Sequence, residues 1–306
     1  MIIFKYSGVF SEKPLDLLSK GESMCRFIAY KGETILLDDL LFRPNNSLIK
    51  QSYEAKELEE PLNGDGFGIG WYNHEISTSP AVFVSMTPAW SNRNLKNLAG
   101  HLKSPCIFAH VRAASMGDIS EANCHPFTYE NWMFMHNGGI EDFAKIKRQV
   151  RRAYSDSIYM WLRGQTDSEH FFALILDKII GKKDSVSPLD VVAAMEEAIR
   201  YIQNLKKEAK VTAPTYLNTC ITNGKFMVAT RYCSDLSEEA PSLYYSTGSQ
   251  YVCQDGVCHL VQSPDKHAAM VVSEKLTEFA DDWQKVPNNH FVMIHNNMLA
   301  QLKAIE

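Results

Sequence analysis

Met24-Cys25-Arg26-Phe27-Ile28-Ala29-Tyr30 sets a cysteine at the head of an apolar run. A thiol attacks as its thiolate, so nucleophilic chemistry at Cys25 needs a base. If Cys25 is the N-terminal residue of the working chain, its own α-amine can serve, with an ordinary pKa of roughly 7.7–8.0. One residue then supplies both nucleophile and base. Taken alone, the seven residues read more simply as a strand with a buried cysteine.

Other groups able to do chemistry lie in five short stretches. His110-Val111-Arg112 ends an apolar run; its arginine suits either an ion pair or a two-pronged grip on a carboxylate. Asn123-Cys124-His125-Pro126-Phe127 lies in a polar loop, where a histidine is commonly structural. His136-Asn137-Gly138-Gly139 reads as a strand-to-helix turn that uses Asn and Gly for positive φ. Thr166-Asp167-Ser168-Glu169 fits a capping box, with Asp167 favoured by the helix dipole. Asn63-Gly64-Asp65-Gly66-Phe67-Gly68-Ile69-Gly70-Trp71 alternates glycines, and the third glycine of a dinucleotide fingerprint would fall on Trp71. Such a run fits a tight sheet crossing or a strand lining a small-molecule site. Cys253, Cys258 and His259 are too sparse for a closed metal site, and neither metal nor cofactor is expected.

The elements that must position these groups follow from periodicity and punctuation. Strands are predicted over Cys25–Tyr30, turning at Lys31-Gly32, and over Ala81–Met86, Cys106–Ala114 and Trp132–Met135. Further strands are predicted over Leu217–Ile221 and Lys225–Thr230, joined at Asn223-Gly224, then Leu243–Tyr245, Val257–Val261, Ala268–Val272 and, last, His290–Ile294. Helices are predicted over Ile35–Phe42, Asn92–Leu102, Ile140–Tyr154, His170–Ile180 and from Ser187-Pro188 to about Ala209. Ser47–Ala55 and Tyr154–Gln165 read as connections. Strands, a helical pair, then strands again predict sheet inside and helices outside.

Composition narrows the class. Of 306 residues, 45% are hydrophobic and 22% charged, enough to bury a core. A net charge of −5 gives no reason to expect nucleic acid or an anionic membrane as partner. The basic stretch Lys145–Arg152 reads as a solvated helix face. No apolar run reaches the ~20 residues of a membrane span, and the first ten residues lack the pattern of a secretion signal. Seven cysteines without framework spacing fit a reducing cytoplasm. Residues 1–24 are read as an upstream extension before a start at Met24, with a propeptide or a retained segment as alternatives. Residues 25–306 are read as one domain.

In order, Met-Cys, Gly-Asp-Gly-Phe-Gly, His-Val-Arg, Asn-Cys-His-Pro-Phe, His-Asn-Gly-Gly and Thr-Asp-Ser-Glu resemble the class II glutamine amidotransferases, an N-terminal-nucleophile family. The resemblance, over roughly residues 24 to 300, is to the stand-alone branch. That branch includes the ergothioneine-pathway amidohydrolase and the amidotransferase subunit of the fungal glutathione-degradation complex. It implies an α+β, four-layer αββα sandwich that hydrolyses a small-molecule γ-glutamyl amide through a thioester on Cys25. By the same resemblance Asn137 and Gly138 are the oxyanion donors, Arg112 grips the substrate α-carboxylate and Asp167 pairs with its α-ammonium. His110 and His125 are histidines near the substrate without a fixed role. A peptidase or synthetase partner subunit, or a homodimer, is also in keeping with the family. The departures are the 24 residues before Cys25, and Ala113 and Met116 where fused relatives carry bulky and imidazole side chains. Two alternatives stay open: a glutaminase subunit supplying ammonia to a separate synthetase, and a non-catalytic γ-glutamyl binder should residues 1–24 be retained.

Overall fold

Alternation along the first strand assigns its residues to two different cores. Phe27 and Ala29 join one apolar cluster, while Ile28 and Tyr30 join another on the opposite face. The same split recurs at Cys106 and Phe108 against Ile107 and Ala109. A strand that is apolar on both faces must be covered on both, and that demand builds the layers. The computed structural model describes residues 25–57, 62–113, 118–254, 257–262 and 267–306.

The first sheet contains β1 (Arg26–Leu36), β2 (Phe67–Trp71), β3 (Ala81–Ser85), β4 (Lys103–Val111), β9 (Tyr244–Gln254), β10 (Val257–Gln262), β11 (Ala268–Val272) and β12 (Gln284–Lys285). Its order is β10-β9-β11-β1-β4-β2-β3, with β12 on β9. The second contains β5 (Phe127–Tyr129), β6 (Trp132–Ile140), β7 (Thr215–Thr222), β8 (Met227–Arg231), β13 (His290–Ile294) and β14 (Ala300–Ala304), in the order β14-β13-β8-β7-β6-β5. Every described strand pairing is antiparallel.

Phe27, Phe108, Met133, Met135, Cys220 and Val292 pack between the sheets. The outer face of the first sheet is covered by α1 (Leu37–Leu41), α2 (Leu48–Glu54) and α3 (Arg93–Ala99). The second sheet lies under α4 (Lys147–Arg152), α5 (Asp156–Trp161), α6 (Asp167–Ile179) and α7 (Pro188–Glu208). The result is the helix–sheet–sheet–helix sandwich that the resemblance implies. Local signals hold where they are strongest. Ser187 and Asp190 complete a capping box at α7, and Thr166 accepts from Glu169 N at 3.2 Å to cap α6. The Glu169 carboxylate, however, takes Arg163 N and Gly164 N rather than closing the box.

Several boundaries differ from the sequence reading. Lys31-Gly32 does not end β1, which continues to Leu36 past a register shift against β4, with Gly32 pairing to Ala268. Ser47–Ala55 is not a connection but holds the helix Leu48–Glu54, capped by Ser47 and buried through Leu48, Ile49, Gln51 and Ser52. His136–Gly139 is not a turn but the end of β6, held by pairing with Tyr216–Thr219 of β7. The predicted helix over Ile140–Tyr154 shrinks to Lys147–Arg152, and part of the connection after it forms α5. A further strand, β14, follows His290–Ile294. Cys253 and Cys258 face each other across the β9–β10 hairpin in a disulfide, a pairing made by register rather than sequence spacing. Residues 1–24 and Met116 lie outside the described residues.

Candidate active site

β1 delivers Cys25 to one end of the space between the sheets. The last register pair of β1 with β4 is Arg26↔Val111, so Cys25 stands just beyond the ladder, level with Arg112 and Ala113. Its Sγ donates to Ala113 O at 3.5 Å. Residue 25 retains some exposure, but burial of the sulfur pushes the thiol up to about 11. The Ala113 backbone and the charges of Arg112 and Arg26 oppose that rise, and the Asp167 charge adds to it. The charges of Arg112 and Asp167 are therefore both felt at this sulfur.

Arg112 follows β4, its backbone held by Arg112 N→Gly66 O at 2.9 Å and Asp65 N→Arg112 O at 3.0 Å. Its side chain is buried, with Nη1 donating to Asp118 O at 3.4 Å. Asp167 opens α6. Its Oδ2 accepts from Ile140 N at 2.7 Å, and its Oδ1 accepts from Ser168 N at 2.9 Å. Ser168 Oγ also lies 3.4 Å from Oδ1; these bonds fix the carboxylate where β6 ends, and Oδ2 keeps a lone pair for a further donor. A cation just beyond β4 and an anion at the start of α6 thus act with opposite sign on the thiol.

Asn137 and Gly138 sit near the end of β6. Gly138 has φ +123°, and a β-carbon there would stand 2.4 Å from Tyr216 O, so only glycine fits. Asn137 is fully buried, with Nδ2 3.4 Å from Ser273 Oγ and Oδ1 unpartnered among the described residues. Ser273 Oγ also accepts from Phe27 N at 3.1 Å. Turning the amide by 180° would let the hydroxyl donate to Oδ1 and turn both amide hydrogens away from Ser273. In either orientation Ser273 ties the Asn137 amide to the strand that carries Cys25.

The three histidines of these motifs divide by layer. His136 faces the helices. Tyr216 O, 2.9 Å from its Nε2, can only accept, so Nε2 carries the proton and Ser168 Oγ, 2.8 Å away, serves Nδ1. His110 and His125 are buried with ring centres 4.3 Å apart. Burial pushes His110 down to about 3 and His125 well below the usual range, with the Arg112 charge adding to both shifts. Both are neutral and offer no cation to a substrate carboxylate. His110 Nε2 lies 3.2 Å from His136 O, while its Nδ1 and both His125 nitrogens are unpartnered among the described residues. Of the two readings of the glycine run, sheet crossing fits Gly68: a β-carbon there would stand 2.1 Å from His125 O.

Three residues at the site escaped the sequence reading. Arg26 and Glu274 are each 1% exposed and form an ion pair of 2.9 Å, and Ser273 precedes Glu274. The one available signal was a charged residue inside the apolar run that begins at Cys25. Its partner, 248 positions away, had no local mark. Among the described residues, no group of three metal-binding side chains converges and no helix is long and apolar enough to cross a membrane.

Residues 50–305 match the family described as "Glutamine amidotransferases class-II", a match that begins after Cys25. The chain is 40% identical over 291 residues to the Saccharomyces cerevisiae protein named "Probable glutamine amidotransferase DUG3", covering 89% of this chain and 82% of that one. It is 32% identical over 175 residues to the "Gamma-glutamyl-hercynylcysteine sulfoxide hydrolase" of Mycobacterium tuberculosis, covering 56% and 72%. Among solved structures, a glutamine aminotransferase class-II domain protein from Silicibacter pomeroyi superposes with a TM-score of 0.64 at 26% identity, over 92% of this chain and 99% of that one. The phosphoribosylpyrophosphate amidotransferase of B. subtilis shares the fold, with a TM-score of 0.57 at 13% identity over 92% of this chain and 49% of that one.

Proposed function

The chain belongs to the class II glutamine amidotransferase family of enzymes, and from that premise we propose that it hydrolyses a γ-glutamyl amide through a thioester on Cys25. The observation that carries this reading is the register of β1 against β4, which sets the Cys25 sulfur 3.5 Å from Ala113 O, one residue after Arg112, while Asp167 is anchored to the end of the strand that carries Asn137 and Gly138. The head of a γ-glutamyl group is itself a carboxylate and an ammonium. Arg112 grips the first with a planar fork, and Asp167 takes the second. Together they hold the amide carbon against the sulfur and replace a chance encounter by positioning.

In this reading Cys25 is the N-terminal residue of the active chain, and residues 25–306 form the catalytic domain. Burial keeps the thiol protonated at neutral pH. A neutral α-amine on the same residue takes the proton, and the thiolate attacks the amide carbon. Asn137 Nδ2 and Gly138 N–H meet the charge that develops on the amide oxygen. The C–N bond breaks, the amine leaves with the proton, and a γ-glutamyl thioester remains. Water gives a proton to the α-amine and attacks the thioester; the C–S bond breaks, the sulfur takes that proton back, and glutamate leaves. His110 and His125 lie ring to ring, neutral and within reach of the Arg112 charge.

Glutathione, glutamine and γ-glutamyl conjugates share this head, so the leaving group is the open variable. The test is release of glutamate and of the amine from each by the native chain and by Cys25→Ala. Loss of all turnover in C25A is expected; retained turnover overturns the reading. Intact mass of the active protein should begin at Cys25, and an active protein whose mass includes Met1 removes the α-amine as base. Ammonia release from glutamine that depends on an added synthetase, with no cleavage of glutathione, would favour the glutaminase-subunit role.

A further inference from the structure

Resting on the reading of Cys25 as nucleophile, we propose that the buried Arg26–Glu274 pair is a positioning device that holds the nucleophile's peptide plane. Cys25 lies beyond the last β1–β4 register pair, so its carbonyl has no place in that ladder. A backbone carbonyl at a strand end normally turns to water or frays. Here Arg26 Nη1 donates to Cys25 O at 3.1 Å. The same guanidinium donates through Nε to Glu274 Oε1 at 2.9 Å and through Nη2 to Glu57 O at 3.2 Å. Its fork is engaged on three sides and cannot swing.

Glu274 is immobilised in turn. Its Oε1 also accepts from Glu57 N at 3.1 Å, and its Oε2 accepts from Lys56 N at 3.1 Å and Asn46 Nδ2 at 3.3 Å. The network joins the start of β1, the end of β11, the residue before the Ser47 cap and the segment after α2. Two apolar side chains of similar volume would stabilise a buried site as well as an ion pair does. They could not hold a carbonyl oxygen. The geometric task therefore explains the chemistry of the pair better than stability does.

An N-terminal residue is tethered through one peptide bond only. Clamping the Cys25 carbonyl fixes the plane of that bond. The remaining freedom is rotation about ψ, which carries the α-amine and the side chain together, and χ1, which moves the sulfur alone. The amine, the sulfur and the amide carbon then meet on a fixed axis. A misplacement of about 1 Å at a reacting centre costs on the order of 10²-fold in rate. The Arg26 charge also favours the thiolate over the thiol.

Arg26→Lys keeps the charge and most of the volume but loses the fork; Arg26→Gln loses both. Steady-state kinetics on a γ-glutamyl amide and the pH dependence of Cys25 alkylation by iodoacetamide separate the two contributions. Both variants should lose roughly 10²-fold in kcat, with KM within about threefold because Arg112 and Asp167 are untouched. The alkylation midpoint should stay near the wild-type pH in R26K and move to higher pH in R26Q. R26K decides the matter if R26Q does not fold. A folded R26K with wild-type kcat overturns the positioning role, as does a loss expressed wholly in KM. Cys25→Ala is run alongside: if it keeps turnover, the nucleophile assignment has failed, and if it is inactive while R26K is fully active, only the clamp has.

Discussion

Replacing Asp167 with asparagine keeps the shape of the side chain and removes its charge, and its consequences separate into binding, reactivity and stability. The carboxylate accepts from Ile140 N at 2.7 Å through one oxygen and from Ser168 N at 2.9 Å through the other. Asparagine has a single acceptor oxygen, so one of these buried N–H groups would face an amide nitrogen. An unsatisfied buried donor costs about 1–3 kcal/mol, a fall in Tm of roughly 2–10 °C in a domain of this size. The lost charge-assisted bond to the substrate ammonium is worth about 1.5–3 kcal/mol, or roughly 10–150-fold in kcat/KM. That loss should appear with a γ-glutamyl amide and be nearly absent with the matching glutaryl amide, which carries no ammonium. At the sulfur the sign is opposite. The Asp167 charge raises the thiol pKa, so D167N should move Cys25 alkylation to lower pH. The assay is release of the amine from both substrates, with thermal unfolding as the control for folding. Equal losses on the two substrates, or none on the γ-glutamyl amide, would refute the pairing of Asp167 with an α-ammonium.

Arg112→Lys keeps a cation but not the planar fork, so kcat/KM should fall by roughly tenfold or more. A substrate whose α-carboxylate is converted to an amide should be spared, as competitive kinetics on the two would reveal. Ser273→Ala frees the Asn137 amide from the β1 strand; kcat should drop about tenfold, below the 10²–10³ expected for removing an oxyanion donor outright, while KM holds. His110 binds no proton in the folded chain until about pH 3, whereas an unfolded histidine titrates near 6.5. The unfolded state therefore takes up more protons in that window, and stability should be lost as pH falls from about 6.5 toward 3. Histidine 110→Gln should flatten that slope in denaturant titrations run at successive pH values, and an unchanged slope would count against a neutral buried imidazole.

Local chemistry made much of the chain legible. Ser187-Pro188 starts α7, Asn223-Gly224 turns the β7–β8 hairpin, and Thr166 caps α6, because capping and turn signals act within a few residues. The six ordered motifs point to the family by themselves, and the apolar clusters on both faces of β1 bear out its layers. Elsewhere pairing overrode local preference. Asn137-Gly138-Gly139 carries a turn's composition yet lies in β6, because β7 runs in register with it from Met133 to Ile140. Lys31-Gly32 likewise stays in β1 between β4 and β11, and Ser47–Glu54 winds into a helix because its apolar residues find cover.

The sequence by itself determined which side chains are available: a cysteine heading an apolar run, an arginine closing one, an aspartate opening a helix. Only tertiary structure decided that the charges of the second and third bear on the sulfur of the first. It also decided that Arg26 turns to Glu274, and that Ser273 bridges Phe27 to Asn137. The physical reason is range. Propensity and capping are set between near neighbours, whereas the sign of the charge beside a buried sulfur depends on strand order and layer packing, which no short stretch of chain encodes.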